Sequence, residues 1–329
     1  MTCTRRPVIL AFVVAVLFTG AFANQKDDEA KALVGRAMSI SAVREEGSPP
    51  FRLKANVKVT QEDGSTVEGT YTETWVSNSQ WRRETALGEF HRTQVVLGRK
   101  SWTSDNSTVV PERLAAISAT FDPWLGFANP WKADKFENQE VDGKTARCFR
   151  TKPEMWGISE LCFESNTGTL AARIVPVHVR NKDVNGLCIY RDYRPLGDRR
   201  APTSYSCFED KKLRLQAHVV ELALRPELDQ NLFAPLPDGK EGAHCPTTPQ
   251  PPKVVQNDAP FSPGAEKGIV TISLSVGTDG KGHDLKVVDS PSKASENTAL
   301  EAVRKWKFKP ALCQGEPMDA EIAVEIDFH

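Results

Sequence analysis

The chain lacks an excess of either charge: Lys and Arg number 42 and Asp and Glu 43, giving a net charge of −1. That balance excludes a nucleic-acid binder held by phosphate neutralisation and a polybasic membrane-surface protein. It also lacks a Cys-x-x-Cys pair and any His within metal-ligand spacing of a Cys, and the six His are scattered singly, so no metal site or other cofactor is expected. Absent too are a Gly-x-Ser-x-Gly elbow, a His-Glu-x-x-His motif and a phosphate-cradling glycine loop. Acid pairs such as Glu45-Glu46 and Glu209-Asp210 read as solvated charge. No enzyme is expected.

Long apolar runs are missing except at the start, where Arg5 and Arg6 precede Val8 to Phe18 and the small-residue end Ala21-Phe22-Ala23. This is the pattern of a signal peptide over residues 1–23, cleaved after Ala23. The alternative is an inner-membrane anchor made by uncleaved residues 8–22. Cleavage makes the chain periplasmic and, by removing two arginines, slightly acidic.

Of the seven cysteines, Cys3 lies in this leader, leaving six in an exported chain. An even number in an oxidising compartment points to disulfides. Local spacing makes Cys148–Cys162 and Cys188–Cys207 the natural cross-strand pairs and leaves Cys245 with Cys313, out of 15 possible connectivities.

Residues 26–46 read as an amphipathic helix through Ala32, Leu33, Met38 and Ile40. From residue 53 the period becomes two: Leu53, Ala55, Val57 and Val59 alternate with polar residues, Asp63-Gly64 turns the chain, and β-formers follow. Strand-like runs continue at 80–86, 90–97 and 100–103, and after a short helix at 112–119 they resume at 136–140, 145–151, 159–164, 170–180, 186–194, 202–208 and 212–224. The fold class is α+β, with one large curved antiparallel sheet or half-barrel over residues 24–240. Residues 241–264 form a proline-rich linker of extended character.

The last 65 residues read as a ββαβ unit. Val270, Ile272, Leu274 and Val276 alternate in a strand, Asp279-Gly280 turns it, and Leu285 and Val287 lie on the return. Ser295 and Glu296 open a helix that Pro310 stops, and Ala320, Ile322, Val324, Ile326 and Phe328 line one face of a final strand. Gly268-Ile269-Val270, the Asp279-Gly280 turn, Ala299-Leu300-Glu301-Ala302-Val303-Arg304-Lys305-Trp306-Lys307-Phe308-Lys309-Pro310-Ala311 and the closing strand resemble the C-terminal domain of the TonB family, over residues 265–329.

The resemblance implies a periplasmic module, linked to transmembrane transport, that takes up the N-terminal segment of TonB-dependent outer-membrane transporters as an added strand. The edge strand of that family maps onto Ala320 to Phe328. Trp306, Phe308 and Pro310 read as structural residues fixing helix to sheet. Glu321, Glu325 and Asp327 fit either partner binding or protection of an edge.

Within residues 50–235, the segment from Gly69 through Trp75, then Gln80-Trp81-Arg82-Arg83-Glu84 and Gly98-Arg99-Lys100-Ser101-Trp102, resembles the LolA/LolB group. That likeness implies an open half-barrel for acyl chains, with Val57, Tyr71, Trp75, Trp81 and Phe90 as candidate lining. The same residues also suit an ordinary core. The alternative function is therefore a periplasmic lipid or lipoprotein carrier in which the C-terminal domain is an accessory interaction module.

Overall fold

The computed structural model describes residues 17–328 apart from 62, 108–110, 112, 125–131, 153–159, 180–181, 226, 248 and 258–266. Residues 1–16 of the signal peptide expected over residues 1–23 lie outside the described residues, and the expected cleavage point after Ala23 falls within helix α1 (Leu17–Ser41). No helix among the described residues is long and apolar enough to cross a membrane.

Strands β1 (Phe51–Thr60), β2 (Thr66–Ser77), β3 (Gln80–Leu87), β4 (Phe90–Leu97) and β5 (Lys100–Asp105) form a first meander. After α2 (Leu114–Thr120) come β6 (Lys132–Val141), β7 (Lys144–Lys152), β8 (Glu160–Glu164), β9 (Leu170–Val179) and β10 (Lys182–Arg191). A small hairpin of β11 (Arg194–Leu196) and β12 (Arg199–Ala201) leads to β13 (Ser204–Glu209) and β14 (Lys212–Leu224). β14 pairs with β1, so both meanders join one antiparallel sheet of 13 strands. The two-residue alternation dictates this arrangement: Leu53, Ala55, Val57 and Val59 are buried while Lys54, Asn56 and Lys58 are exposed.

One face of the sheet is covered by α1, but not through the stripe expected from the sequence. The buried face is Ala30, Val34, Ala37 and Ser41, while Ala32 is exposed and Leu33, Met38 and Ile40 are only partly buried. Small side chains thus hold the fully buried positions, and the larger Leu33 and Met38 pack beside them. Between helix and strands lies an aromatic core in which Tyr71 stacks on Phe121 at 4.5 Å, Phe51 on Trp75 at 5.5 Å, and Tyr205 meets Phe121 edge-on at 5.0 Å.

After β14 a 3-10 turn at Gln230–Phe233 packs Phe233 with Val95 and Trp102. The chain then adds β15 (Lys240–Ala243) to the edge of β5. Further on, β16 (Lys253–Gln256) pairs with a strand of the C-terminal unit. The proline-rich segment thus carries two short strands, and each is paired to a different body of the molecule. Alternation over so few residues, among so many prolines, leaves no readable period.

The C-terminal unit comprises β17 (Gly268–Val276), β18 (Gly282–Asp289), α3 (Lys293–Val303), β19 (Lys307–Lys309), β20 (Ala311–Cys313), β21 (Glu316–Met318) and β22 (Ala320–Phe328). Its sheet runs β18-β17-β22, with Ala299 and Val303 of α3 packed on Val270, Ile272, Leu274 and Val276. The helix begins earlier than Ser295, because Ser292 is its N-cap and accepts from the Ser295 amide at 3.2 Å. It also ends well before Pro310. The chain unwinds after Val303, and Lys307–Lys309 become the strand paired with β16, so Pro310 separates two strands. Gly280 turns β17 into β18 at φ +74, where a Cβ would lie 2.6 Å from the Phe308 carbonyl oxygen, so both backbone conformation and space require glycine.

Three disulfides join Cys148 to Cys162, Cys188 to Cys207 and Cys245 to Cys313. The last ties the segment after β15 to β20. Proteolytic digestion without reductant is expected to release a Cys245–Cys313 cross-linked peptide; a free Cys245 thiol in the oxidised protein would contradict this connection.

Candidate functional site

On β2 the period of two places Tyr71, Glu73 and Trp75 on one face, and all three are buried. A carboxylate in that row demands partners. Arg83 stands opposite Glu73 in the β2–β3 register, and its Nε donates to Glu73 Oε1 at 2.8 Å. Arg44, in the turn after α1, donates to Glu73 Oε2 through Nε at 3.2 Å and through Nη2, and its Nη1 donates to the Phe121 carbonyl oxygen at 2.7 Å. Burial alone raises a carboxyl pKa, but the charges of Arg44 and Arg83 outweigh it and hold Glu73 at about 2. Burial likewise works against the charge of Arg44, and Glu73 reverses the effect and raises it. Nearby, burial pushes the Tyr71 hydroxyl up.

Above this node opens a cleft of about 520 Å³ walled by Trp75, Trp81, Arg83, Trp124, Asn78 and the segment His244 to Thr247. The Arg83 guanidinium lies 4.2 Å from the Trp81 ring centroid. The His244 ring meets Trp81 edge-on at 5.8 Å, and its Nε2 is 2.7 Å from the Asn78 carbonyl oxygen. Burial lowers the His244 pKa, opposed by the Asn78 contact and aided by the charge of Arg83. Trp124 Nε1 donates to Ser41 Oγ at 3.3 Å.

Among the candidate lining residues, Val57, Tyr71 and Phe90 are buried in the core between sheet and helices, Trp75 is buried there and also forms part of the cleft wall, and Trp81 lines the cleft. The Arg44–Glu73–Arg83 node was not read from the sequence. Its signal was there, as the charged residue Glu73 between Tyr71 and Trp75 in an inward-facing row.

The tightest set of metal-type donors among the described residues is Cys148, Glu160 and Cys162, within 4.8 Å of one another. Their two sulfurs are joined as a disulfide, which leaves a single carboxylate.

In the C-terminal unit, β22 pairs with β17 from Ala320↔Val276 to Phe328↔Gly268. No strand among the described residues pairs with its other side. Val324, Ile326 and Phe328 are buried on the sheet's inner face, Ala320 and Ile322 are partly covered, and Glu321, Ala323, Glu325 and Asp327 are exposed. The strand therefore offers its backbone edge and an acidic outer face, while the apolar side chains of the same strand build the core. Trp306 and Phe308 belong to that core at 8% and 4% exposure, and Pro310 is partly buried beside it.

Residues 264–329 match the family model of the Gram-negative bacterial TonB protein C-terminal region, in agreement with the resemblance read from Gly268 to Phe328. No curated protein matches the chain. Solved structures similar to it include a putative outer membrane lipoprotein-sorting protein domain from Vibrio parahaemolyticus, at 9% identity and TM-score 0.39 over 64% of this chain and 97% of that one. A LolA superfamily protein from Nitrosomonas europaea is similar at 11% identity and TM-score 0.40, over 62% and 97%. A DUF1329 family protein from Desulfovibrio piger is similar at 9% identity and TM-score 0.40, over 64% and 97%.

Because Glu73 is held at about 2 against an ordinary 4.5, its contribution to stability is complete above pH 4.5 and is lost as pH falls through 2. That contribution is on the order of 3 kcal/mol. Urea unfolding followed from pH 7 to pH 2 should show the decline. Glu73→Gln should lower stability at neutral pH by about 3 kcal/mol, since it leaves the largely buried Arg44 guanidinium and the partly buried Arg83 guanidinium without their carboxylate, and should flatten the acid slope. An unchanged slope in the variant would remove Glu73 as its source.

Proposed function

We propose that the protein is a non-enzymatic adaptor of the Gram-negative periplasm whose C-terminal unit accepts an extended segment of a partner as a further strand on β22. The carrying observation is that no strand among the described residues pairs with the outer edge of β22, which lies within the residues that match the TonB C-terminal model. Main-chain hydrogen bonds along that edge supply affinity that depends little on the partner's sequence. Glu321, Glu325 and Asp327 bias the choice, since opposite charges facing each other across two strands contribute roughly 0.2–1 kcal/mol per pair. A partner segment carrying Lys or Arg at alternate positions fits best, and the plug segment of a TonB-dependent outer-membrane transporter is the partner class in view.

The carrier reading has less support. Three of the five residues that would line an acyl site, Val57, Tyr71 and Phe90, are taken up in core packing away from the cleft, and the cleft that Trp75 and Trp81 line carries two arginines and a histidine among its walls. In the adaptor reading the large domain holds and orients the acceptor strand, and the signal peptide expected over residues 1–23 would deliver the chain to the periplasmic side.

Titration of the isotope-labelled full chain with transporter plug peptides is expected to shift the amide resonances of residues 320–328 first. Ala323→Pro, which puts a ring on an exposed edge position, should weaken binding about tenfold or more by removing a donor and straining its neighbours. Peptides that shift only residues of the large domain, or none at all, would refute strand addition at β22.

A further inference from the structure

The cleft above the Glu73 node has walls of two kinds. Trp75 stands opposite Trp81 in the β2–β3 register, so both indoles lie on one face of the sheet, and Trp124 joins them in the lining. These rings are the apolar walls.

The charged groups beside them are balanced. Three guanidinium groups, of Arg44, Arg83 and Arg199, meet three carboxylates, of Glu45, Glu73 and Asp122. Glu73 holds Arg44 and Arg83, Glu45 lies 3.1 Å from Arg199, and the charge of Asp122 acts on Arg44. Burial lowers the His244 pKa from 6.5, so its ring is neutral at pH 7. An ionic ligand therefore meets no net charge. All three nitrogens of Arg44 already have acceptors, which leaves no open fork there for a phosphate or carboxylate. The Arg83 guanidinium covers one face of Trp81, the position that an ammonium ligand would take.

An acyl chain would strand the polar groups that remain. Among the described residues, nothing accepts from Arg83 Nη1 or Nη2, and nothing bonds the exposed Asn78 side-chain amide. Asp122 accepts the Trp124 amide at 3.3 Å through Oδ1, while no described residue donates to its Oδ2. His244 donates from Nε2 to the Asn78 carbonyl oxygen, which keeps Nδ1 as an acceptor. The buried Tyr71 hydroxyl, in the same row of β2 as Trp75, is also without a partner among the described residues. Donors and acceptors thus stand together among apolar rings.

A ligand suited to both kinds of wall is uncharged, donates and accepts through the same groups, and still has flat apolar faces. A pyranose whose hydroxyls are all equatorial is such a molecule. Each hydroxyl both donates and accepts, and the axial C–H bonds form two faces that can lie on indole. A β linkage keeps successive rings flat. The cleft volume of about 520 Å³ falls within the range of small-ligand sites.

We propose that the cleft beside Trp81 binds a neutral saccharide of one or two β-linked, glucose-type rings. The indoles take the ring faces, and Arg83, Asn78, Asp122 and His244 take the hydroxyls. The site uses no residue of β22, so it is independent of strand addition, and either can fail without the other.

The test is calorimetric titration of the full chain with cellobiose and with N,N′-diacetylchitobiose, accompanied by intrinsic tryptophan fluorescence. Saturable binding that changes the fluorescence is expected with at least one of them, and it should vary little with salt because the ligand is uncharged. Trp81→Ala removes a stacking wall and should weaken binding about tenfold, the scale of one ring stacked on an aromatic side chain. Asn78→Ala removes one hydrogen-bonding side chain and keeps the carbonyl that holds His244; it should weaken binding about fivefold. Its circular dichroism spectrum should match that of the parent, because the Asn78 side chain is exposed and unbonded among the described residues. Failure of both disaccharides to saturate, tighter binding of glucuronate, choline or decanoate, or full binding by both variants would each overturn the proposal.

Discussion

A buried carboxylate cannot remain ionised without close cations, and Glu73 meets this requirement from two directions. Arg83 arrives from the neighbouring strand and Arg44 from the turn that ends α1. Arg44 also bonds the Phe121 carbonyl oxygen after α2. One side chain thereby fixes where α1 ends, how β2 and β3 align, and where the segment after α2 crosses the sheet. The aromatic stacks of Tyr71, Phe121 and Tyr205 grow outward from that junction, and the cleft beside Trp81 is what remains where His244 returns across it.

The segment from Lys240 to Gln256 belongs to both bodies of the molecule. Its first strand extends the large sheet at β5, its second pairs with β19, and between them Cys245 is bonded to β20. Arg99 of the large domain also pairs with Glu316 beyond β20. Proline in this segment fits such a path, since it suits edges and turns and leaves few amides that need a ladder partner. The acceptor strand is therefore carried on a unit strapped to the large domain.

Much of the large sheet was legible because its core is built on strict alternation, as in Leu53 to Val59 and Tyr71 to Trp75. The C-terminal unit was legible from the spacing of Ala299, Val303, Trp306 and Phe308. Short elements were not: β15, β16 and β19 have three or four residues each, and their strand state comes from partners far away in sequence. The face of α1 was misassigned because hydrophobic size pointed to Leu33 and Met38, whereas the fully buried positions are held by the small residues Ala30 and Ala37.

The three disulfides connect cysteines that are consecutive along the chain: 148 with 162, 188 with 207, and 245 with 313. No bridge encloses or crosses another. Joining these cysteines in their order along the chain produces this set directly, without a wrong bond to undo. The large sheet can be complete, with Cys245 held at its edge by β15, before the strand bearing Cys313 is in place.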